Sequence, residues 1–354
     1  METNQAGYAT REKTARTADL RVVAIGGGTG LSTLLKGLKR FVTTPAEISA
    51  SRLGVPVIRD LSAVVTVSDD GGSSGRLRKE FNMLPPGDIR NCIVALSEDE
   101  ALLSKLFRHR FDKGSGLEGH SFGNLFLAAL TSLTSDFSEA VRLSSEILLT
   151  RGHIYPATTS NIELEALMED GTRVRGETRI TASKGRIREL FLVPPDVQPM
   201  PQTLEAIANA DLITIGPGSL FTSLIPNLLV KGIAPAIVES KATKVYICNL
   251  MTQANESLGL TAADHIRALN SHAQRQIFDY AMLNRTPASE EMKAKYATEG
   301  ACQIVNDLEA IEAMEVIPVL GDYLEEAGVA RHNFTQAAHD VLELATQVAA
   351  RQSH

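Results

Sequence analysis

The sequence predicts an α/β protein of the doubly wound kind, with a mainly parallel sheet and an antiparallel hairpin extension. Three short segments, residues 21–25, 61–67 and 212–215, are almost continuously apolar, as is typical of strands that are buried on both faces. Apolar residues at helical spacing follow, over residues 31–38 and again over residues 122–133. Such an alternation of strands and helices indicates a parallel sheet that is covered by helices.

The predicted elements divide the chain into three parts. Residues 1–19 lack periodicity, so we expect a flexible tail there. Residues 20–333 are expected to form one α/β domain. Residues 334–354 carry the apolar stripe of an amphipathic helix, which either core packing or a homodimer face would explain.

Two segments interrupt the strand–helix rhythm of the domain. Residues 43–60 contain two prolines and a glycine, and they predict an irregular insertion before the second strand. Residues 153–193 read as a β-hairpin extension with two antiparallel strand pairs, turning at residues 170–171 and 184–185. Further on, Thr261 and Asp264 have the spacing of a capping box and predict the start of a helix.

The composition is that of an ordinary globular protein with a negative charge. The 354 residues are 44% hydrophobic and 22% charged, with a formal net charge of -7. This balance argues against nucleic acid as a partner, because such surfaces need clustered Lys and Arg. The three cysteines are far apart and include no CxxC pair, which disfavours a zinc site or a disulfide framework and fits the cytoplasm. No apolar run reaches the length of a spanning helix, so no membrane insertion is expected.

A glycine turn between the first strand and the first helix is the strongest functional motif. Gly26, Gly27, Gly28, Thr29 and Gly30 stand where the backbone N–H groups of a helix N-terminus favour a phosphate. The turn lacks the third glycine of the dinucleotide fingerprint, and it also lacks the Lys of a P-loop. A nucleotide-like ligand is the functional reading, and a tight turn with no ligand is the structural alternative.

Acidic and hydroxyl residues follow the second strand. Asp69, Asp70, Gly71 and Ser73 lie at the carboxyl end of that strand, where ligands of open α/β sheets bind. Asp69 is a candidate for a ribose hydroxyl or for Mg²⁺, which prefers oxygen ligands. A solvated acidic turn is the simpler alternative for such a segment.

Two further helix starts carry polar residues. Asp88, Arg90 and Asn91 occupy the first turn of one predicted helix, where Asp88 either stabilises the terminus or acts as a base. Arg90 gains nothing from the helix dipole there, so an anion-binding role is favoured for it. In the next such start, Asn124 offers donors and an acceptor to a base or sugar, whereas His120 reads as a packed or capping residue.

The second half of the chain repeats the opening motif. A strand enters Gly216, Pro217, Gly218 and Ser219, and a helical segment with Thr222 follows, which predicts a second phosphate-binding turn. The polar residues Asn249 and Thr252 come just after another core strand. The complete set of predicted nucleotide-binding residues is Gly26, Gly27, Gly28, Thr29, Gly30, Asp70, Gly71, Ser73, Asn91, Asn124, Gly216, Pro217, Gly218, Ser219, Thr222, Asn249 and Thr252.

Four motifs, at residues 24–31, 67–75, 86–91 and 216–220, resemble the gluconeogenesis factor (YvcK-like) family, within the 2-phospho-L-lactate transferase (CofD-like) superfamily. The resemblance implies a Rossmann-like nucleotide-binding core. It also implies binding of a UDP-sugar, chiefly UDP-N-acetylglucosamine, and a role in cell shape and cell-wall precursor supply on gluconeogenic carbon sources. Leu260 departs from relatives that place an aromatic residue there.

Two function classes therefore stand beside each other. In the first, the chain is a regulator that binds a UDP-sugar or related nucleotide without turnover, alone, as a homodimer or with a regulatory protein partner. In the second, it is a transferase of a phosphate-linked group, in which Asp69 holds Mg²⁺, Asp88 is a candidate base and Arg90 stabilises phosphate charge. Mg²⁺ is the one cofactor that either class implies. A third class, an NAD-dependent dehydrogenase, is disfavoured by the broken fingerprint.

Overall fold

The computed structural model describes residues 19–43, 56–98, 102–183 and 185–352. Almost all of the predicted tail, and most of the predicted insertion at residues 43–60, lie outside this range. Strands of the main sheet are β1 (Asp19–Gly26), β2 (Val57–Val65), β3 (His153–Pro156), β7 (Leu212–Ile215), β8 (Thr243–Ile247), β9 (Tyr280–Asn284) and β10 (Ile317–Gly321). The remaining strands are β4 (Glu163–Met168), β5 (Arg173–Arg175), β6 (Ile187–Val193), β11 (Leu324–Glu326) and β12 (Ala330–His332).

The helices fill the connections between the strands. They are α1 (Gly28–Lys39), α2 (Gly72–Phe81), α3 (Gly87–Leu96), α4 (Leu102–Arg108), α5 (Phe122–Thr134), α6 (Phe137–Ile147), α7 (Glu177–Ala182), α8 (Pro201–Asn209), α9 (Ile225–Leu229), α10 (Ile233–Glu239), α11 (Ala262–Ala273), α12 (Glu290–Ala297), α13 (Leu308–Glu312) and α14 (Phe334–Gln352). A π-helix, Leu220–Leu224, precedes α9, which has Pro226 in its first turn. The predicted capping box at the start of α11 is present.

The main sheet confirms the predicted fold class. Its seven strands are all parallel and lie in the order β10-β9-β8-β7-β1-β2-β3. From β1 the chain builds the sheet in one direction through β2 and β3, and from β7 it builds in the other. This reversal is the topological switch point at which open α/β sheets bind ligands. Strands β1 and β7 are buried along nearly their whole length, which explains their continuous apolar sequence.

Helix α1 connects the switch point to the rest of the core. It packs against α3 and against the C-terminal helix α14. At Gly37 an added Cβ would lie 2.3 Å from the carbonyl oxygen of Phe334, so α1 and α14 touch backbone to backbone. The apolar stripe of α14, with Ala338 and Val341 fully buried, therefore serves core packing.

The extension after β3 differs in part from the prediction. β4 and β5 form the expected hairpin across residues 170–171, but Glu177–Ala182 is a helix, and β6 pairs with the other edge of β4. The prediction of a second hairpin, turning at residues 184–185, is therefore wrong. Gly176, with φ +99°, ends β5, and the helix α7 follows it where a strand was predicted. The strand β2 also begins earlier than predicted, since its exposed Arg59 and Asp60 hide its apolar pattern.

Among the described residues no single helix is both long and apolar enough to cross a membrane, although the bent pair Leu220–Leu229 and Ile233–Glu239 meets those criteria when joined.

Candidate functional site

A cleft of about 810 Å³ lies at the carboxyl ends of the parallel strands, at the switch point between β1 and β7. The turn after β1 supplies Gly27–Gly30, the turn after β7 supplies Pro217–Ser219, and the segment after β8 supplies residues 249–254. Ten predicted residues line it: Gly27, Gly28, Thr29, Gly30, Asn91, Pro217, Gly218, Ser219, Asn249 and Thr252. The topology has thus brought together polar residues from four distant parts of the sequence.

The first glycine turn is built by close packing. Gly28 has φ +62°, a conformation that favours glycine, and it starts α1. At Gly30 an added Cβ would lie 2.2 Å from the Pro217 carbonyl oxygen, so the two turns touch each other directly. Gly26 lies beneath them, buried at the end of β1. Thr29 is exposed to the cleft on the first turn of α1, and its carbonyl accepts hydrogen bonds from the Ser32 and Thr33 hydroxyls.

A carboxylate from α3 reaches this turn. Burial raises the pKa of Asp88 to about 6, a hydrogen bond from the Gly28 N–H opposes that rise, and the charge of Asp69 adds to it. Asp88 therefore caps the glycine turn from below rather than only stabilising its own helix. In the same region burial raises the pKa of Glu177 to about 9, with Asp69, Asp88 and Asp70 adding to the effect.

These carboxylates are chemically suited to Mg²⁺, which takes oxygen ligands and needs only one or two protein carboxylates besides water. In the described part of the chain, neither Asp69 nor Asp88 nor Glu177 has an Arg or Lys within ion-pair distance. Asp69 accepts the Gly71 N–H at 2.9 Å. The Asp69–Asp88 pair fits Mg²⁺ in its donor atoms, although three ligand atoms are not brought together there.

Three other predicted residues serve the fold. Asp70 accepts the N–H and the hydroxyl of Thr178, at 2.9 and 2.5 Å, and so ties α2 to α7. Ser73 and Asn124 are buried, and the Asn124 amide donates to the Ser73 hydroxyl at 3.1 Å. The Ser73 hydroxyl also lies 2.9 Å from His120 Nδ1, which agrees with the packed reading of that histidine. None of these side chains lines the cleft.

Hydrogen bonds within the protein occupy several backbone amides of the second turn and of the segment that follows it. The Gly218 N–H donates to Asn249 Oδ1 at 3.0 Å, and the Asn249 amide returns a bond to the Gly218 carbonyl at 2.7 Å. The N–H groups of Phe221 and Thr222 both donate to the buried Glu256, at 2.8 and 2.9 Å. In the predicted second phosphate-binding turn the Gly218 amide is therefore occupied, as are the amides of Phe221 and Thr222 after it, while Gly218 and Ser219 form part of the cleft wall. Thr222 is buried outside the cleft.

The backbone conformation and close packing at position 216 explain why a glycine stands there. It has φ +88°, and an added Cβ would lie 2.6 Å from the Ile247 carbonyl oxygen of β8. Gly216 therefore lies behind the cleft and is not one of the residues that line it. Glu256, which completes this arrangement, had no sequence signal, because it is a single carboxylate in a polar loop.

Several cleft residues were missed in the sequence. Tyr296, Arg331 and His332 form the wall beyond β8, and Lys36 and Arg108 line the other walls. Tyr296 is half-buried, and its hydroxyl accepts the Ala330 N–H at 3.2 Å. Its ring is one aromatic surface of the cleft, which Phe334 also lines, whereas Leu260 packs against the core. No local motif marks these residues, because α12 and β12 reach the cleft only through the fold.

Comparison with known proteins agrees with this architecture. Residues 22–324 match the family model described as 2-phospho-L-lactate transferase CofD. A gluconeogenesis factor from Halalkalibacterium halodurans is 49% identical over 91% of this chain and 95% of its own length. The gluconeogenesis factor of Bacillus subtilis is 45% identical over 92% of this chain and 98% of its own. A crystal structure of a Bacillus halodurans protein superposes with a TM-score of 0.85 and 47% identity, covering 92% of this chain and 99% of that one. The chain therefore belongs to the CofD family, and within it to the gluconeogenesis factors.

Proposed function

We propose that this gluconeogenesis factor binds a nucleotide-sugar, with UDP-N-acetylglucosamine as the expected ligand, in the cleft at the switch point. The observation that carries the proposal is the convergence of a helix N-terminus, backbone turns and uncharged polar side chains on one cleft of about 810 Å³. Such a volume is in the range of small-molecule and cofactor sites. The proposed role is regulatory, in cell shape and cell-wall precursor supply on gluconeogenic carbon sources, in the cytoplasm.

The phosphates would lie at the N-terminus of α1. Helix α1 has twelve residues and no acidic residue in its first turn, and Gly27, its N-cap, has no side chain to cap it. Its dipole and free N–H groups therefore favour an anion at Thr29 and Gly30. Asp88 sits beneath this turn, and burial, which raises its pKa to about 6, disfavours the charged carboxylate that would oppose an anion bound above it.

The base and ribose would lie on the β8 side of the turn. Asn249 and Thr252 are polar, and Tyr296 offers a ring on the same wall. The Gln253 amide donates to the Ser219 hydroxyl at 2.9 Å, but its carbonyl oxygen is buried without a partner in the described residues. A buried acceptor of this kind is costly to leave unpaired, and a donor from the ligand would satisfy it.

A transferase is the second candidate function, because the Asp69–Asp88 pair fits Mg²⁺ by its donor atoms. In that case Asp69 and Asp88 would hold Mg²⁺, which would supply Lewis-acid stabilisation of the charge that develops on the phosphate. The residues of the chain would then bind and orient the donor, and Arg90 would stabilise the phosphate. The two functions differ in a measurable way, since a regulator binds without product formation.

A charge reversal at Thr29 tests the binding proposal with little risk to folding. A carboxylate in the first turn of α1 is favourable for the helix, so Thr29→Glu is expected to keep or raise stability. The same carboxylate would occupy and repel the phosphate position. We expect calorimetric titration with UDP-N-acetylglucosamine to show binding by the wild type and by Thr29→Gln, and a loss of about tenfold or more in Thr29→Glu, from two like charges in contact.

Titrations with GDP and NAD, with and without Mg²⁺, accompany the UDP-sugar, and product formation is followed by chromatography. If Thr29→Glu and Thr29→Gln bind the UDP-sugar with equal affinity, the phosphates do not lie at this turn. Failure of every nucleotide to bind the wild type would refute the nucleotide-sugar proposal. Mg²⁺-dependent turnover that is lost in Asp69→Asn would favour the transferase over the regulator.

A further inference from the structure

Three arginines gather beyond the α1 end of the cleft. Arg90 of α3 donates to the Ser121 hydroxyl at 2.7 Å and to the Asn91 side chain at 2.7 Å. Arg110 pairs through its backbone with the same Ser121. Arg108, at the end of α4, lines the cleft together with Asn91. The Arg110 side chain donates to the Gly119 carbonyl. Arg108 and Arg110 both lie close enough to Arg90 for their charges to act on it.

Arg90 is held firmly in this group. At Gly123, in the first turn of α5, an added Cβ would lie 2.7 Å from Arg90 Cδ and 2.8 Å from a ring carbon of Phe107. The helix therefore passes directly over the stem of the arginine, and this close approach explains the glycine that the sequence places there. A guanidinium fixed in this way is pre-organised for bidentate hydrogen bonding.

The positive charges of the group are not neutralised within the described part of the chain. Among the described residues none of the three arginines has a carboxylate within ion-pair distance, and the Arg108 side chain makes no hydrogen bond to any of them. Arg90 Nε is buried without a partner. Burial lowers the pKa of Arg90, and the charges of Arg110 and Arg108 lower it further, with Asp88 and Asp69 opposing them.

The strand order separates this group from the nucleoside side of the cleft. Asn249, Thr252 and Tyr296 follow β8 and β9, whereas Asn91 and Arg108 lie toward β2 and β3, with the α1 turn between them. If the phosphates of the nucleotide lie at that turn, the arginines face the part of the cleft on the far side of these phosphates. An N-acetylhexosamine can accept hydrogen bonds through its hydroxyl and acetamide oxygens, but because it is neutral it cannot neutralise a cluster of guanidinium groups.

We propose that Arg90, Arg108 and Arg110 form a subsite for a second small ligand that carries a phosphoryl group and binds beside the nucleotide-sugar. Its placement relative to the nucleotide rests on the proposed function, whereas the anion site itself rests on the arginines. Arg108 is the cleft-facing donor, and Arg90 is a fixed positive charge beside it. A small phosphate ester would accept hydrogen bonds from the Arg108 guanidinium, and the charge of Arg90 would add to the attraction.

The test uses inorganic phosphate and glycerol 3-phosphate as probes of the full chain, first alone and then saturated with UDP-N-acetylglucosamine. Calorimetry at low and at raised chloride gives the affinity. We expect saturable binding in both states, and a loss of about tenfold or more in Arg108→Gln, since hydrogen bonds to charged groups are the strong ones. The Arg108 side chain has no hydrogen-bond or ion-pair partner among the described residues, so Arg108→Gln should fold normally. Arg110→Gln should also lower the affinity for phosphate. Arg188→Gln, an exposed arginine of β6, is the charge-matched control and should have no effect.

The outcomes separate this subsite from the nucleotide site. Binding of phosphate by the nucleotide-saturated protein that is lost in Arg108→Gln and kept in Arg188→Gln supports the proposal. Competition between phosphate and UDP-N-acetylglucosamine would overturn it and assign the arginines to the nucleotide's own phosphates. Equal phosphate affinity in wild type, Arg108→Gln and Arg188→Gln, or no binding at all, would also overturn it. If no nucleotide binds but phosphate binding depends on Arg108, the anion site stands while the proposed function fails.

Discussion

The charge of Asp88 is expected to cost the folded protein stability at neutral pH. Its carboxyl lies under the glycine turn, where burial is the main cause that raises its pKa from 3.8 to about 6. Replacement by Asn removes the charge but keeps an oxygen that can accept the Gly28 N–H. Asp88→Asn therefore isolates the electrostatic contribution of this side chain.

The sign follows from proton linkage. Between pH 4 and 6 the folded protein binds the Asp88 proton more tightly than the unfolded chain does, so stability falls as the pH rises through this range. A difference of about 2 pKa units corresponds to about 3 kcal/mol above pH 6. The attraction to Arg90 is already contained in this difference, because it lowers the pKa of Asp88. We therefore expect Asp88→Asn to be more stable than the wild type by about 1–3 kcal/mol at pH 8, and equal to it near pH 4.

Urea unfolding of both proteins at pH 4.5, 6 and 8, without divalent cations, measures this difference. Asp136→Asn, a change at an exposed helix cap, is a control whose effect should not follow the same pH course. A wild type that is more stable than Asp88→Asn at pH 8 would refute the reasoning, because the carboxylate would then be a net stabilising group. Repetition with Mg²⁺ adds a second readout, since an ion bound at Asp69 and Asp88 should reverse the order.

Two further predictions concern packing and buried hydrogen bonds. Gly37→Ala should lower the free energy of unfolding by about 2 kcal/mol or more, because its Cβ has no room against the backbone of α14. Gly328→Ala, at a glycine with φ +73° and open space around it, should cost only about 1 kcal/mol, and an equal loss in both variants would contradict the packing argument. Glu256→Ala should cost about 2–4 kcal/mol in urea unfolding, since it leaves the N–H groups of Phe221 and Thr222 buried and unpaired, whereas Glu256→Gln should keep most of that stability. If Glu256→Gln is as unstable as Glu256→Ala, the loss of stability comes from the charge of Glu256 and not from its hydrogen bonds.

The fold could be predicted well because its signals are local. Buried parallel strands such as residues 212–215 are apolar throughout, and helices such as α1 begin at recognisable glycine or capping positions. The errors occur where a local pattern was ambiguous. The β-branched residues of Glu177–Ala182 resemble a strand, and only the geometry of Gly176 and the pairing of β6 with β4 make that segment a helix.

The site could be predicted only in part. Glycine turns at the ends of strands are visible in the sequence, and both turns do meet at the cleft. Whether their N–H groups are free is not visible, because the answer depends on distant partners. Asn249 and Glu256 fill the second turn, and Asp88 reaches the first.

The sequence by itself determined the class of fold, the family, and the glycine turns that face the cleft, since each depends on residues that are close together in the chain. The tertiary structure decided which polar groups remain available. Asp70, Ser73 and Asn124 became internal hydrogen-bonding partners, while Tyr296 and Arg108 were brought to the cleft from elements that carry no motif. Hydrogen bonds and charges act over a few ångströms in space, whatever the separation in sequence, so only the folded chain assigns their partners.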